Sequence, residues 1–545
     1  MPFIDLTQDN TPATWICAPT IIDTRTFASQ HQVTDAWAGP TQRPGKLLRA
    51  HKHLKPPMPT DSPPNDLRAG GLTRGGVTGN YADFQAIAAT PWTPPDPSLA
   101  VGPDHVLVTV NMAIAWYDKN GTEQFSAYLD STGSPGFFEE LGSGDFTFDP
   151  KCFYDPIAER FVVLALEFYG DTDESWITFA VSDDSDPNGV WYKYRTWSVV
   201  ANGGSTYWVD YPGLGFDDNA YYVTGNLFNL TGSSGFGGAL YRVIEKASLL
   251  SGGTAVIHDV RKGSHASVQC AQTSGIAPAA FFVSNRDNSR VRISNIVDYA
   301  NPSVQSANVS VPNWNSPSSD APNPGGYVST LDGRILNAHW RDGSLYTCHA
   351  IDGPSNNTVS RWYEFNVTSP SSPSLVQSGD IDTASGVHNF FPAIGVNAHG
   401  DVALAMAMAS SGDVPSMQVT GRTVDAPLGT MGALAETVSG THGADGRYGD
   451  YYDMTVDPTD DTTFWYVGEV SRSYGWQTHV GSFTITEPIT CAADTNGDGV
   501  VNVSDLLAAL AQWGGDGSAA GAAEPYDLVD VADVLAIIGA YGPCP

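Results

Sequence analysis

A short pattern recurs through the middle of the chain, and it constrains the fold more than any other feature. Each copy has a polar residue, a short apolar stretch, a turn and a second apolar stretch. The spacing is about 60 residues or a multiple of it, which suits a four-stranded repeat, so residues from about 90 to 485 divide into seven units. Clear copies begin at Asp96, Asp149, Asp210, Asn389 and Asp450, and weaker ones lie at 267–283 and 334–348.

Seven units of four strands indicate a mainly β fold, and a seven-bladed β-propeller is the interpretation we favour. The small and apolar residues early in each unit suit strands that crowd around a central axis. A ring must also close, and we expect the extended segment 83–89 to pair with the last unit, whose own strands lie at 465–470 and 476–485. Two packed β-sandwiches remain the alternative, because spacing alone does not prove closure.

Composition agrees with a large β-rich protein. The chain has 545 residues, 56 of them Gly and 37 Pro, which suits many strands joined by turns. Its net charge of -33 argues against nucleic acid and anionic membranes as partners. No apolar run approaches the roughly 20 residues needed for a membrane span. A signal peptide is not visible at the start of this chain.

The polar residue that starts each clear copy has two interpretations. In a ring, the four aspartates and Asn389 would approach one end of the central channel, where they could hold a cation or a hydroxyl-rich ligand. Alternatively, each is a turn residue that bonds a backbone amide of its own unit. We favour the second interpretation.

Two kinds of carbohydrate chemistry fit side chains of this region. A glycoside hydrolase needs two carboxylates roughly 5 to 10 Å apart, one kept protonated by its surroundings. A polysaccharide lyase needs a His or Tyr base and an Arg that neutralises a uronate. Sialidase boxes, a Gly-x-Ser-x-Gly elbow, a His-Glu-x-x-His motif and a Walker loop are absent from the sequence. The candidates are Asp210, Asp450, Asp453 and Glu469 for the hydrolase, and His388, Arg447, Tyr448 and Tyr451 for the lyase.

The carboxyl end of the chain carries a calcium-loop motif. Oxygen-bearing side chains occupy loop positions 1, 3, 5, 9 and 12, a backbone carbonyl serves position 7, and Gly499 supplies the turn at position 6. Ca²⁺ takes roughly six to eight oxygen ligands, so it is the expected cofactor. The expected ligands are Asp494, Asn496, Asp498, Val500, Asn502 and Asp505.

A helix pattern follows this loop, but there is no room before it for the entering helix of a full EF-hand. The pattern recurs 28 residues later (533 minus 505), at 530–541. Two loops with exiting helices resemble a type I dockerin. The second loop has lost its ligands, with Ala522, Tyr526 and Asp527 at key positions, so we expect one strong calcium site and one weak or empty site.

The resemblance to a dockerin implies a cohesin-like partner, contacted around Val503-Ser504 and Val531-Ala532, and a place outside the cytoplasm. The chain also resembles secreted bacterial propeller-like proteins of unassigned activity, through Pro-Pro-Asp at 94–96 and Arg-Tyr-Gly-Asp at 447–450. Cys491 and Cys544 bracket the dockerin-like part, and we expect a disulfide there. We expect Cys152, Cys270 and Cys348 to be buried thiols.

We therefore expect three regions: a Pro-rich, locally basic arm at 1–80, a propeller at 81–486 and a dockerin-like domain at 487–545. The favoured function is an extracellular calcium-binding protein whose tail tethers a propeller that binds glycan or protein ligands. The alternative is a polysaccharide-degrading glycoside hydrolase or lyase, because dockerins are commonly attached to such catalytic modules.

The calcium loop gives a direct prediction. Asp494→Ala or Asp498→Ala removes a carboxylate ligand, so either change should abolish the calcium-induced rise in the melting temperature of the tail. Differential scanning calorimetry with calcium and with chelator measures this, and the transition of the β-rich part should stay unchanged. If chelator does not shift the transition of the unmutated tail, the loop binds no calcium.

Overall fold

The protein divides into a β-rich unit that ends at Thr484 and a smaller unit that begins at Ile485. The sequence places the start of the second unit at 487, close to this boundary. The β-rich unit is mainly strand, because short stretches of β-branched and aromatic residues alternate with Gly, Pro, Asp and Asn. The computed structural model describes residues 4–27, 82–90, 92–132, 135–144, 146–230, 235–355, 357–383, 385–473, 475–485, 500–511, 513, 531–539 and 541–543.

The first half of the β-rich unit contains seventeen of the described strands and one short helix, α1 (Lys246–Leu249). In chain order the strands are β1 (Ile4–Asp5), β2 (Ala13–Cys17), β3 (Thr20–Asp23), β4 (Asp83–Ala88), β5 (Ser98–Val101), β6 (His105–Val110), β7 (Ala113–Asp118), β8 (Glu123–Tyr128), β9 (Thr147–Asp155), β10 (Arg160–Tyr169), β11 (Glu174–Ser182), β12 (Val190–Trp197), β13 (Val200–Asn202), β14 (Ser205–Phe216), β15 (Ala220–Asn229), β16 (Phe236–Glu245) and β17 (Ala255–Lys262).

The second half of this unit continues with strands of the same kind. They are β18 (Gln269–Ser274), β19 (Ala280–Asp287), β20 (Arg290–Ile296), β21 (Gln305–Ser310), β22 (Ala321–Asn323), β23 (Gly326–Val328), β24 (Ile335–Arg341), β25 (Ser344–Asp352), β26 (Thr358–Asn366), β27 (Ser374–Ile381), β28 (Val387–Val396), β29 (Val402–Ser410), β30 (Ser416–Arg422), β31 (Ala435–Val438), β32 (Asp453–Val456), β33 (Phe464–Arg472) and β34 (Gly475–Phe483).

Within the described residues, seven sets of four strands form antiparallel sheets, and each set is consecutive in the chain except the last. The last takes its fourth strand, β4, from the beginning of the chain. There β4 pairs with β34, as the sequence predicts for residues 83–89. We number them sheet 1 (β5–β8), sheet 2 (β9–β12), sheet 3 (β14–β17), sheet 4 (β18–β21), sheet 5 (β24–β27), sheet 6 (β28–β31) and sheet 7 (β32–β34 with β4).

The first strands of consecutive sheets lie against one another. β5 contacts β9, β9 contacts β14, and the series continues through β18, β24 and β28 to β32. β32 in turn contacts β5, so sheet 7 adjoins sheet 1. Small residues permit this approach, since a Cβ on Gly215 of β14 would lie 2.3 Å from the carbonyl oxygen of Ala271 in β18.

The same unusual backbone conformation occurs in or just before several first strands. Asp96, Asp149, Tyr211 and Phe391 have φ angles of 51°, 46°, 54° and 51°, and a proline follows each of them. A left-handed conformation is uncommon for such residues, and a following proline disfavours the α region as well. The same rare geometry in sheets 1, 2, 3 and 6 therefore shows that these units are structural repeats.

Part of the amino-terminal arm joins the sheets. β3 pairs with β12 at the outer edge of sheet 2, β2 pairs with β17 at the outer edge of sheet 3, and β1 pairs with β13. Sequence analysis did not predict strands in the arm, because edge pairing depends on the surface that receives the strand. The basic, Pro-rich stretch 43–74, interpreted as a linker, lies outside the described residues.

A buried ion pair fastens this arm. The Arg242 guanidinium donates to both oxygens of Asp259, at 2.8 and 2.9 Å, and to the Thr196 hydroxyl at 2.7 Å. The Trp15 indole of β2 donates to Asp259 at 3.0 Å. Arg242 and Asp259 are fully buried, so each compensates the charge of the other.

The smaller unit contains two helices among its described residues, α2 (Val503–Ala511) and α3 (Val531–Gly539), and an antiparallel pair, β35 (Val500–Val501) with β36 (Gly542–Pro543). The helices contact each other around a small core of Val501, Ala509 and Ile537. No helix in the described parts of the chain has the length and apolar character of a membrane span.

Part of the predicted calcium loop can be described. The ligand positions 494–498 and the cysteines at 491 and 544 lie outside the described residues. At the end of the loop, the backbone N–H of Asn502 donates to Asp505 Oδ2 at 2.9 Å, and the Asn502 side chain accepts from Ser504 N–H at 2.7 Å. These bonds cap the start of α2.

Removing one partner of the buried ion pair should strongly destabilise the β-rich unit. Asp259→Ala leaves the Arg242 charge buried and uncompensated, which costs about 3 to 5 kcal/mol of unfolding free energy. Asp287→Ala is the matched control, because it breaks the exposed pair with Arg290. Urea unfolding of the three proteins measures the difference, and equal losses in the two variants would contradict the role given to Asp259.

Candidate functional site

Charged side chains gather where the first strands of sheets 1, 2 and 7 begin. Asp96, Asp149 and Asp450 all act electrostatically on both Tyr451 and Arg447. Asp96 and Asp450 also act on Glu469. Three of the five polar residues that a ring would bring to one end of its channel therefore lie near one another, although we favoured separate turn roles for them. We call the following residues the acidic cluster: Asp96, Asp149, Lys151, Arg447, Asp450, Tyr451, Asp453 and Glu469.

An asparagine joins sheets 1 and 2 at this cluster. The Asn111 amide donates to Asp96 Oδ2 and to the Pro94 carbonyl, both at 2.8 Å, and its oxygen accepts from the Asp149 backbone N–H at 2.8 Å. Asn226 connects sheets 3 and 4 in a similar way, since its side-chain oxygen accepts from the Ser267 backbone N–H at 2.7 Å. A carboxamide suits this position, since it both donates and accepts.

Sheet 7 carries a carboxyl group at the equivalent position. The strand register identifies this position. In each of four sheets we take one residue pair between the first and second strands and move two residues further along the second strand. The residue found there is Asn111 in sheet 1, Asn226 in sheet 3, Asn285 in sheet 4 and Glu469 in sheet 7. The carboxamide of three sheets is therefore a glutamate in the fourth. The pairs that fix this equivalence are Ser98 with Thr109, Gly213 with Thr224, Gln269 with Val283, and Asp453 with Val467.

The surroundings of Glu469 favour its protonated form. The side chain is only 2% exposed, and its Oε2 makes no hydrogen bond within the described structure. Burial raises the pKa of Glu469 well above its usual value, and the charges of Asp96 and Asp450 raise it further. The nearby Gly449 backbone amide lowers the pKa, but by less. Glu469 is thus a carboxyl group with a raised pKa that lies near other acidic side chains.

Asp450 has a cationic partner. The Arg447 guanidinium donates to Asp450 Oδ1, across three residues of chain. Burial alone would lower the pKa of Arg447, but Asp450, Asp96 and Asp149 reverse this and raise it. Its Nε is buried and has no hydrogen-bond partner in the described part of the chain. The site therefore places Asp450, which is in contact with Arg447, near Glu469, whose surroundings favour protonation.

Lys151 balances charge in the same cluster. Its Nζ lies 3.1 Å from the centre of the Tyr451 ring, close enough for a cation–π interaction. Burial lowers the pKa of Lys151, and Asp453, Asp149 and Asp96 oppose that shift. The Tyr451 hydroxyl is buried and makes no hydrogen bond to any described residue. Its pKa is raised well above the usual value, by burial first and then by the three aspartates at 149, 96 and 450.

Asp453 has a structural environment. Its Oδ2 accepts from the Ser98 hydroxyl at 2.7 Å and from the Leu99 backbone N–H at 3.0 Å, and its Oδ1 accepts from Met454 N–H at 2.9 Å. Burial raises the pKa of Asp453, while Lys151 and these donors lower it. Asp453 thus joins sheet 7 to sheet 1, and its oxygens are occupied by protein donors.

A second basic group borders the cluster. Arg334 lies 4.6 Å from the Tyr211 ring centre and donates to Asp332 Oδ2 at 2.6 Å. Asp450 also acts on both Tyr211 and Arg334. Sequence analysis missed Arg334, Lys151 and Asn111, because neither a motif nor a fixed spacing marks them.

Other predicted residues have local roles in the described structure. Asp210 Oδ1 accepts from Tyr211 N–H at 2.8 Å, as expected of a turn residue. Asn389 donates to the Thr383 hydroxyl at 3.0 Å. His388 Nδ1 accepts from the Thr358 N–H at 3.1 Å, and burial lowers its pKa. Tyr448 donates to the Glu469 carbonyl at 2.8 Å. These hydrogen bonds hold nearby parts of the chain in place, and they do not make these side chains reactive groups.

The remaining expectations concern thiols and metals. Cys152, Cys270 and Cys348 are buried and free, as predicted, and burial raises their pKa values. Within the ranges that the structure describes, no three His, Cys, Asp or Glu side chains form a group suited to a metal ion.

Comparison with known proteins gives only distant likenesses. No protein-family model and no curated protein matches the chain. An α-L-arabinofuranosidase of Fusarium graminearum aligns over 74% of this chain and 98% of its own, at 8% identity and a TM-score of 0.36. A protein of unknown function from Dyadobacter fermentans covers 75% and 100%, at 10% and 0.33. An α-L-arabinofuranosidase of Podospora anserina covers 51% and 90%, at 10% and 0.25. At these values none of them carries an argument about function.

The protonation of Glu469 predicts a pH-dependent effect on stability. Between the unfolded pKa, near 4.5, and the raised folded pKa, unfolding releases a proton, so wild-type stability falls with rising pH by about 1.4 kcal/mol per unit. Glu469→Gln removes this loss, and the variant should gain stability relative to wild type from pH about 4.5 towards neutral.

Denaturant unfolding at several pH values measures the difference between the two proteins. Glu436→Gln, which changes an exposed carboxyl group, is the control. A stability difference between Glu469→Gln and wild type that does not change with pH would contradict the protonated state.

Proposed function

We propose that the β-rich unit is a seven-bladed β-propeller that hydrolyses glycosidic bonds in a polysaccharide. The seven four-stranded sheets support the ring, as do the contacts of their first strands, including β32 with β5. The acidic cluster lies where several first strands begin, at one end of the channel that such a ring would enclose. Ligand sites commonly lie at such positions.

The observation that carries the proposed chemistry is the contrast between two acids. A glycoside hydrolase needs a carboxylic acid that protonates the leaving oxygen and a second, ionised carboxylate that acts as base or nucleophile. Glu469 has the raised pKa of the acid. Asp450, which is in contact with Arg447, is the candidate base or nucleophile. The acid and base roles are thus assigned from the different surroundings of the two carboxyl groups.

A lyase is less well supported by the same residues. Its base would be His388 or Tyr451. The His388 ring is bonded to Thr358, and the Tyr451 pKa is raised well above its usual value, which opposes loss of its proton. Tyr451 instead suits a wall of the site, held by Lys151. A ligand-binding propeller without catalysis is the second candidate, favoured by the low exposure of Glu469.

We assign the tail to calcium-dependent attachment outside the cell. The calcium motif and its second copy support a dockerin-like module, and the resemblance implies a cohesin-like partner and a polysaccharide-degrading body. Apolar side chains 28 residues apart (531 minus 503) are exposed on the two helices or just after them and would form the contact surface. They are Val503, Leu507, Leu510 and Trp513, and Val531, Leu535, Ile538 and Tyr541.

Activity on polysaccharides tests the proposal. The full chain should release reducing ends from at least one member of a panel of arabinan, xylan, β-1,3-glucan and pectin. Glu469→Gln and Asp450→Asn should each lower kcat by about a hundredfold to ten-thousandfold, because general acid–base catalysis contributes that much.

Glu436→Gln again serves as the control and should keep full activity. Release by wild type with equal release by Glu469→Gln would overturn the assigned roles. Binding to a polysaccharide without any release would leave the binding propeller as the function.

A further inference from the structure

A short hairpin made by β22 and β23 is fastened beside the acidic cluster. The Asn323 side chain donates to the Ala444 carbonyl and accepts from the Ala444 N–H, both at 2.9 Å. The Gly446 N–H donates to the Tyr327 carbonyl at 2.8 Å, and the Ser329 N–H donates to the Gly446 carbonyl at 2.8 Å. We call residues 321–328 the crossing hairpin, and these bonds make it rigid.

The crossing hairpin brings Tyr327 to the rim of the cluster. Val328 forms a parallel bridge with Gly446, and the next residue, Arg447, bonds Asp450. Paired strands lie about 5 Å apart, so the Tyr327 backbone lies beside that of Gly446 and Arg447. Val328 is fully buried and Tyr327 is 51% exposed, as expected for side chains that alternate in direction along a strand.

The backbone beside Tyr327 has room around it. A Cβ on Gly446, whose N–H donates to the Tyr327 carbonyl, would meet no described atom within 4 Å. An exposed aromatic ring on a rigid backbone loses little conformational entropy on binding, and its face suits the apolar face of a sugar ring. Trp208 and Trp476, in contrast, are buried and present no such surface.

We propose that Tyr327 is a stacking platform for a sugar residue adjacent to the one cleaved, so that the site prefers a chain over a single sugar. The inference rests on the hydrolase function proposed above. The aromatic face carries the contact, and the Tyr327 hydroxyl is not required. Tyr327 is a binding residue that determines preference for length, whereas Glu469 and Asp450 carry out the chemistry.

The test compares Tyr327→Ala, Tyr327→Phe and wild type on the polysaccharide that wild type degrades and on the p-nitrophenyl glycoside of its sugar. Phe236→Ala is the matched control, because Phe236 is similarly exposed, at 47%, but lies in β16, the third strand of sheet 3. Tyr327→Ala should raise KM on the polysaccharide about fivefold to tenfold, the effect of losing one aromatic contact, with kcat unchanged. The short substrate should show no change, and Tyr327→Phe should behave as wild type.

The outcomes separate the two proposals. If wild type degrades the polysaccharide and Tyr327→Ala has an unchanged KM, the platform is wrong and the hydrolase stands. An equal rise in KM on both substrates also overturns the platform, since it indicates damage to the cleavage site. If wild type degrades no member of the panel and is not retarded in gels that contain them, the hydrolase and the platform both fall.

Discussion

The arrangement of the seven sheets depends on pairing between the beginning and the end of the β-rich unit. Sheet 7 is complete only when β4, from before the first repeat, pairs with β34. Side chains reinforce the join: Asp453 accepts from Ser98 and Leu99, and Lys119 of sheet 1 donates to both oxygens of Asp457 at 2.8 Å. Asp96 and Glu469 are neighbours because of this closure, although they are far apart in the chain.

Charge is buried at this join, and most of it is compensated. Asp453 has three protein donors and Lys151 nearby, and Asp450 has Arg447. Glu469 differs, because its position holds an asparagine in three other sheets and it forms no ion pair with any residue that the structure describes. Protonation removes the cost of burying its charge. A buried carboxyl group whose ionisation costs free energy contributes little to stability, but it is suited to donate a proton.

Much of the β-rich fold could be predicted from the sequence, because each unit repeats the same turns and apolar stretches. The pairing of 83–89 with the last unit is confirmed. Five polar residues would meet at one end of the channel of a ring. Asp96, Asp149 and Asp450 lie near one another, whereas Asp210 and Asn389 form hydrogen bonds with residues close to them in the chain. The arm strands and the lysine over Tyr451 could not be predicted, since they depend on surfaces formed by distant segments. Glu469 was named as one acid among several, and only the strand register shows its equivalence to the asparagines.

The protonation state of Glu469 is the most direct test of this account. Infrared difference spectroscopy at neutral pH, comparing wild type with Glu469→Gln, detects the carbonyl stretch of a single carboxylic acid. The account predicts that wild type shows the band of a protonated carboxyl group and that the variant lacks it. A carboxylate band in its place would mean that Glu469 is ionised, and the assignment of a proton donor beside Asp450 would be wrong.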